Sequence, residues 1–236
     1  MLGFALASAR RTGHSARVSL EPSLVRSGTL ERLRAAAFPS PPGHLPALWE
    51  LGDVPTLRRV DEVLERIAVL NVIISCSYGM PPAVASDWIA QNGLDGCLTA
   101  REERVLAGTL GLVDEDKAQV EAINGLAWSV GMVQTLGLSE FCGDDLAGKL
   151  PDLRRAEPMS EWNQRNGARM RNVDEVAAEW DLSYCVTWGL ADANLRGVTA
   201  TWALPQSVYW QRRRSLEYVC AQDIKHRDWD DVDLST

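Results

Sequence analysis

Histidine is nearly missing from this chain, with His14, His44 and His226 the only three in 236 residues. No H-E-x-x-H pair and no Glu-x-x-His step occurs, which excludes the usual ligand sets of zinc proteases and di-iron helical bundles. The chain also lacks a G-x-S-x-G elbow, a P-loop and a G-x-G-x-x-G turn, so common hydrolase and nucleotide-binding signatures are absent. Cysteine is sparse and odd in number: Cys76, Cys97, Cys142, Cys185 and Cys220. No two form C-x-x-C, which argues against a disulfide framework or a zinc knuckle. Apolar neighbours make them buried, reduced thiols, and a reducing cytoplasm is the expected compartment. No run approaches the ~18 apolar residues of a membrane-spanning helix. The nearest, Leu70 to Cys76, is short and contains Asn71. Phenylalanine occurs only three times against nine tryptophans, a balance that suits a helical core with polar edges.

Apolar residues make up 46% of the chain and charged residues 24%, enough for a full core without disulfides or metal. The net charge of −8 disfavours binding by phosphate neutralisation, so neither nucleic acid nor membrane is an expected partner. Residues 1–27 read as a flexible extension. Their first twenty positions contain no acid and include Arg10, Arg11 and Arg17, so a targeting segment or an early start codon stays open. Residues 28–236 read as a single helical domain.

Three- and four-residue spacing of apolar positions supports an all-α fold of about seven to nine helices. A short helix covers Thr29–Ala37, followed by a proline-rich connector from Phe38 to Pro46. Asp53 and Pro55 open a long helix with Leu57, Val60, Leu64, Ile67 and Ile74 inward and Arg58, Arg59, Glu62 and Glu65 outward. A short helix over 83–91 places Val84, Trp88 and Ile89 inward. Thr99 and Glu102 form a capping box. A long helix starts at 114–116, carries Val120, Ile123, Ala127, Val130 and Val133, and ends at Gly137. Its internal Gly125 and Gly131 allow close helix contact. Residues 139–171 are irregular. Asn172 caps a helix with a stripe from Val173 to Leu195 through Trp180, Tyr184 and Trp188, and Glu175 takes the reciprocal position. Thr199 to Ala203 has β-branched character and suits a brief extended segment. The last helix starts at Pro205, with Val208, Tyr209, Leu216, Val219 and Cys220 inward, and an acidic tail docks back onto the body.

Three constellations carry charge in suggestive patterns. The first joins Arg212, Arg213 and Arg214 to Trp229, Asp230 and Asp231. Its aspartates, with Asp228 and Asp233, lack the glycine turn and terminal glutamate of an EF-hand, so no metal is expected. A clasp fits better, with Trp229 filling a notch and Arg212, Arg213, Arg214 and Arg227 pairing with acids. The second is Arg165, Arg169 and Arg171 near Trp162, an anion site or a solvated loop. The third is Asp61-Glu62-x-x-Glu65-Arg66, paired carboxylates or an exposed helix face. Binding candidates are therefore Arg212, Arg213, Trp229, Asp230, Asp231, Glu62 and Arg66, with no catalytic residue or cofactor assigned.

Five segments carry a family resemblance over roughly residues 50–236. They are Glu62-Val-Leu-Glu-Arg66, Leu98-Thr-Ala-Arg-Glu-Glu103, Asn124-Gly-Leu-Ala-Trp-Ser-Val-Gly131, Asp181-Leu-Ser-Tyr-Cys-Val-Thr-Trp188, and Arg213-Arg-Ser-Leu-Glu-Tyr-Val219 with Asp228-Trp-Asp-Asp-Val232. With them the chain resembles the bacterial family called domain of unknown function 4272. Thr187 stands where that family's pattern suggests histidine, and Ser235 where it suggests aspartate. The resemblance implies a mostly helical intracellular protein and supplies no catalytic residue. The functional expectation is an interaction or accessory protein, of an immunity type, whose partner carries a basic surface. The alternative is an enzyme using Arg and Asp/Glu in a helical cleft. Oligomeric state stays open.

Overall fold

The computed structural model describes residues 20–53, 55–198, 203–220, 229–232 and 234. The protein is all-α, and no strand occurs among the described residues. The helices are α1 (Pro22–Ala35), α2 (Val60–Ser77), α3 (Pro82–Gln91), α4 (Ala100–Leu106), α5 (Asp114–Ala118), α6 (Val120–Ser129), α7 (Leu146–Lys149), α8 (Met159–Asn166), α9 (Val173–Leu195) and α10 (Gln206–Cys220). Nine of these span five residues or more, and α7 is a four-residue turn. Short 3-10 turns cover Asp95–Cys97 and Leu153–Arg155.

Helix α10 is the central member. It packs against α6 on one side and α9 on the other, α1 covers α9, and α2 covers α6 and carries α3, α4 and α5. Two apolar clusters result. Leu216, Tyr218, Val219 and Cys220 of α10 join α2, α3 and α6 in the larger one. Val208 and Tyr209 of α10 join Leu33, Phe38, Leu182, Tyr184 and Leu190 in the smaller one. Close approach of α6 and α10 requires Gly125: a Cβ there would lie 2.0 Å from Ser215 Oγ. Gly189 plays the same part where the proline-rich connector crosses α9, since its Cβ would lie 2.6 Å from the Pro39 carbonyl oxygen.

Several local expectations hold. Thr99 Oγ1 accepts from the Glu102 amide at 3.3 Å while Glu102 accepts from the Thr99 amide at 2.9 Å, closing the capping box. Asn172 Oδ1 accepts from the Asp174 amide at 3.2 Å. Glu175 instead pairs with Arg171. The five expected apolar positions of α10 are buried.

Other boundaries differ. Helix α1 starts at Pro22 rather than Thr29, because Arg26 is drawn onto Asp181 of α9 at 2.8 Å and Trp49 Nε1 donates to the Leu20 carbonyl at 3.0 Å. Helix α2 starts at Val60 rather than Asp53. Its preceding segment is held elsewhere: the Arg58 amide and Nε donate to the Val219 and Tyr218 carbonyls at the end of α10. Arg58, expected outward, is buried. Val84, expected inward, is 50% exposed. The helix expected from 114 to 137 breaks between α5 and α6 and stops at Ser129, after which Gly131 turns with φ +74°. Helix α9 is not one-faced. Asp181, Leu182, Cys185, Val186 and Thr187 are buried beside the expected stripe, because α1 and α10 cover it from two sides. Leu195 at its end is exposed. Most of the segment from Thr199 to Ala203 lies outside the described residues, as do residues 1–19, His226, Asp228, Asp233 and Ser235.

Candidate functional site

The C-terminal segment returns to the body through Trp229. Its ring is 2% exposed and stands edge-on to Tyr218, with centroids 5.3 Å apart. The guanidiniums of Arg214 and Arg66 lie over the ring at 4.6 and 5.5 Å. The indole N–H donates to Gln119 Oε1 at 3.4 Å, at the break between α5 and α6. Arg214 Nη2 donates to the Trp229 carbonyl at 2.8 Å and to Asp230 at 3.2 Å. Burial, reinforced by the like charge of Arg66, holds the Arg214 guanidinium below its ordinary pKa despite Asp230.

The seven nominated residues do not meet in one pocket. Arg66 is buried against Glu102 at 2.6 Å, beneath Trp229. Arg212 turns the other way: it pairs with the buried Glu121 at 2.8 Å and donates to the Gly137 and Glu140 carbonyls. Arg213 is buried towards α9, donating to Thr187 Oγ1 at 3.3 Å, Glu217 at 3.4 Å and the Leu234 carbonyl at 3.0 Å. Position 187, where the family pattern suggests histidine, is therefore interior and engaged with Arg213. Glu62 caps α2 by accepting from the Arg59 amide at 3.0 Å. Asp231 is exposed. Of the four arginines expected to pair with acids in the clasp, Arg227 lies outside the described residues, and among the described residues Arg214 pairs with a tail acid, Asp230.

Two of the three loop arginines are also engaged, and Arg169 is exposed. Arg165 pairs with Glu157 at 2.7 Å and donates to the Gly148 and Leu150 carbonyls. Arg171 donates to the carbonyls of Trp128, Val133 and Gln134. Sequence reasoning missed the acids that matter most, Glu121, Glu102, Asp181 and Glu179. Glu102 carried a signal through its capping box; the others lie far in sequence from their cationic partners.

An open cleft of about 840 Å³ lies elsewhere, between the C-terminal half of α2, the start of α3 and α7. Ile74, Met80, Val120, Leu146, Leu150 and Leu153 form its walls. Tyr78 and Val84 stand at its rim, 74% and 50% exposed. None of the seven nominated residues lines it. Its polar groups are Asn71, Ser75, Cys142, Asp144 and Arg154. The Asn71 amide is engaged by the Pro151 carbonyl at 3.2 Å. Burial and the neighbouring Glu121 push the Cys142 thiol up to about 11, so it stays protonated and poorly nucleophilic near neutral pH. The only histidine among the described residues, His44, lies on the exposed connector and does not line the cleft. Among the described residues no group of three or more His, Cys, Asp or Glu could hold a metal ion. Among them, too, no helix is long and apolar enough to cross a membrane.

No curated protein and no solved structure matches the chain. One family does, over residues 26–232, a span that contains α1 to α10 except the first turn of α1, together with Trp229. The chain belongs to the family described as domain of unknown function (DUF4272).

Proposed function

We propose that this protein acts by binding another protein and not by catalysis, as an accessory or immunity-type factor whose acidic surface meets a basic partner. The observation that carries this reading is the aliphatic wall of the open cleft. The nominated arginines are engaged with carboxylates or carbonyls away from it, and Asp144 and Arg154 are the charged side chains in its lining. A cleft of this size and lining suits apolar anchors from a partner. The net charge of −8 favours basic groups around those anchors and speeds their encounter. Nucleic acid fits less well, since Arg165 and Arg171 are engaged with loop carbonyls and carboxylates. A reducing cytoplasm agrees with five free thiols, of which Cys97, Cys142 and Cys185 are pushed up to about 11, 11 and 12.

The test is site-specific photocrosslinking. A photoreactive residue replaces Val84 at the rim, and another replaces Leu195, exposed at the end of α9, as a control. In extract of the native cell, the rim probe should give one discrete protein adduct that fades with added salt and with Tyr78→Glu. Equal labelling from both probes, or an adduct indifferent to Tyr78→Glu, would remove the cleft as the binding face.

A further inference from the structure

We infer that the groove holding Trp229 is a recognition site for acidic peptides anchored by a tryptophan, and that the chain's own tail occupies it in the isolated molecule. This surface is distinct from the cleft, and its inference does not depend on the reading above.

The groove is built by elements that do not need the tail. Leu216 and Val219, which fix α10, are fully buried in the larger core cluster, as are Ile67 and Leu70 of α2. Arg58 lies over the Tyr218 ring at 3.9 Å and holds it from behind through the Tyr218 carbonyl. Among the described residues, besides the packing of Val232, the tail adds three kinds of contact. The carbonyls of Trp229 and Leu234 accept from Arg214 and Arg213, contacts that any peptide backbone can make. The indole supplies the anchor, specified by Tyr218, two guanidinium faces and the Gln119 acceptor. Asp230 supplies a carboxylate to Arg214, and its side chain is 37% exposed. A backbone clamp, one aromatic pocket and one charge pair form the usual logic of short-peptide recognition.

The groove also keeps unspent capacity for negative charge. Arg66 is 3% exposed, yet its Nε has no hydrogen-bond partner. Arg66 and Arg214 both face the ring. Among the described residues the tail brings one carboxylate to them, that of Asp230, and Asp231 is exposed. A peptide with a better placed acid beside its tryptophan would use donors that the tail leaves idle. Such a partner competes with the tail, which is tethered and therefore has a high effective concentration.

The test uses full-length chains and a fluorescent peptide of residues 229–236, read by anisotropy. Trp229→Ala leaves the groove and removes its resident anchor. That chain should bind the peptide saturably, one to one, and at least about tenfold more tightly than wild type, where the tethered tail competes. A peptide with alanine in place of tryptophan should not bind, and Arg214→Ala in the Trp229→Ala chain should abolish binding. A Trp229→Ala chain that melts cooperatively but does not take up the peptide overturns the inference. If that variant fails to fold, Asp230→Ala, altering only a partly exposed pair, replaces it. It should then bind more tightly than wild type, and equal binding overturns the inference. Wild-type dimers that the free peptide dissolves would make a second copy the occupant, and would overturn the assignment to a foreign partner.

Discussion

Replacing Trp229 by alanine tests the clasp directly. An aromatic side chain buries roughly 150–250 Å². At ~25 cal/mol per Å² this is about 4–6 kcal/mol of transfer free energy. The Tyr218 edge contact and the guanidinium faces add about 1 kcal/mol each. Against this stands the ordering of the tail backbone, roughly 1–2 kcal/mol per residue fixed. Among the described residues, the other contacts that hold the tail are Arg214 with Asp230 and the Trp229 carbonyl, Arg213 with the Leu234 carbonyl, and the partial burial of Val232. Without the ring those contacts do not offset the ordering cost, so the tail leaves. The loss is then capped by the tail's net docking free energy, below the gross value and at the lower end of the ~3–5 kcal/mol typical of a buried Trp→Ala change.

A loss of about 3 kcal/mol lowers the melting temperature of a chain this size by roughly 6–12 °C. Calorimetry of wild type, Trp229→Ala and Trp229→Phe measures it. Phenylalanine keeps an aromatic face but loses the bond to Gln119 and part of the buried ring area, so it should recover part of the drop. Limited proteolysis reports the tail separately, and cleavage should accelerate in the alanine variant alone. A melting temperature within about 1 °C of wild type, with unchanged cleavage, would refute the reasoning.

Gly125→Ala should cost about 1–3 kcal/mol by overpacking against Ser215, with partial recovery in Gly125→Ala/Ser215→Gly; a gain in stability, as helix propensity alone requires, would show that α6 and α10 do not meet closely. Arg212→Met strands the Glu121 carboxylate in the interior and should cost about 3–5 kcal/mol in urea denaturation, with part restored by adding Glu121→Gln; simple additivity of the two changes would refute the pairing. Burial holds the Glu179 carboxyl above its ordinary pKa despite the opposing charge of Arg32. The folded state therefore binds that proton more tightly than the unfolded one. Its stabilising share is present at acid pH and is lost as pH rises from the ordinary carboxylate range through the folded value. The melting temperature of Glu179→Gln relative to wild type should thus rise as the pH is raised above the ordinary carboxylate range of about 4, and a flat or falling difference refutes this. Arg171→Lys should cost about 1–2 kcal/mol, because an ammonium cannot reach three carbonyls from one position; hydrogen exchange at the end of α6 should accelerate with it, and unchanged exchange would count against the assignment.

The helices were legible wherever a local rule decides them. The Thr99 box, the Asn172 cap and the inward face of α10 each depend on residues within one or two turns. The start of α2 was not legible, because Asp53 and Pro55 offer a cap that Arg58 overrides from outside. Its bonds to the Tyr218 and Val219 carbonyls span 160 residues and more of sequence. The two-sided burial of α9 was hidden for a related reason. Periodicity counts arginine and aspartate as polar and so outward, yet Asp181 faces Arg26 and Thr187 faces Arg213. Within the clasp, the tryptophan anchor and the Arg214–Asp230 pair were legible from composition. The cleft was not, since it is bounded by α2, α3 and α7, and Val84 gives no sign in sequence that it turns to solvent.

The choice of cation explains how an irregular all-α chain closes its core. Of 24 basic residues only Lys117, Lys149 and Lys225 are lysines. Short helices expose many terminal carbonyls, and loops such as 133–158 leave more. A guanidinium has five donors in a fixed fork, so one arginine can satisfy two or three carbonyls and one carboxylate together. Arg26 does this for Leu45, Pro46 and Asp181. Arg165 does it for Gly148, Leu150 and Glu157, and Arg212 for Gly137, Glu140 and Glu121. In each case the arginine fastens to a helix a loop that also sets an apolar residue against the core, Leu45, Leu150 or Leu138. Once used in this way the arginines have little charge left for a substrate, and the acids without such partners remain at the surface. A net negative charge and an arginine-stitched interior are therefore compatible results of one packing solution, and among the described residues the buried guanidinium nitrogen still unpaired is Arg66 Nε, beneath Trp229.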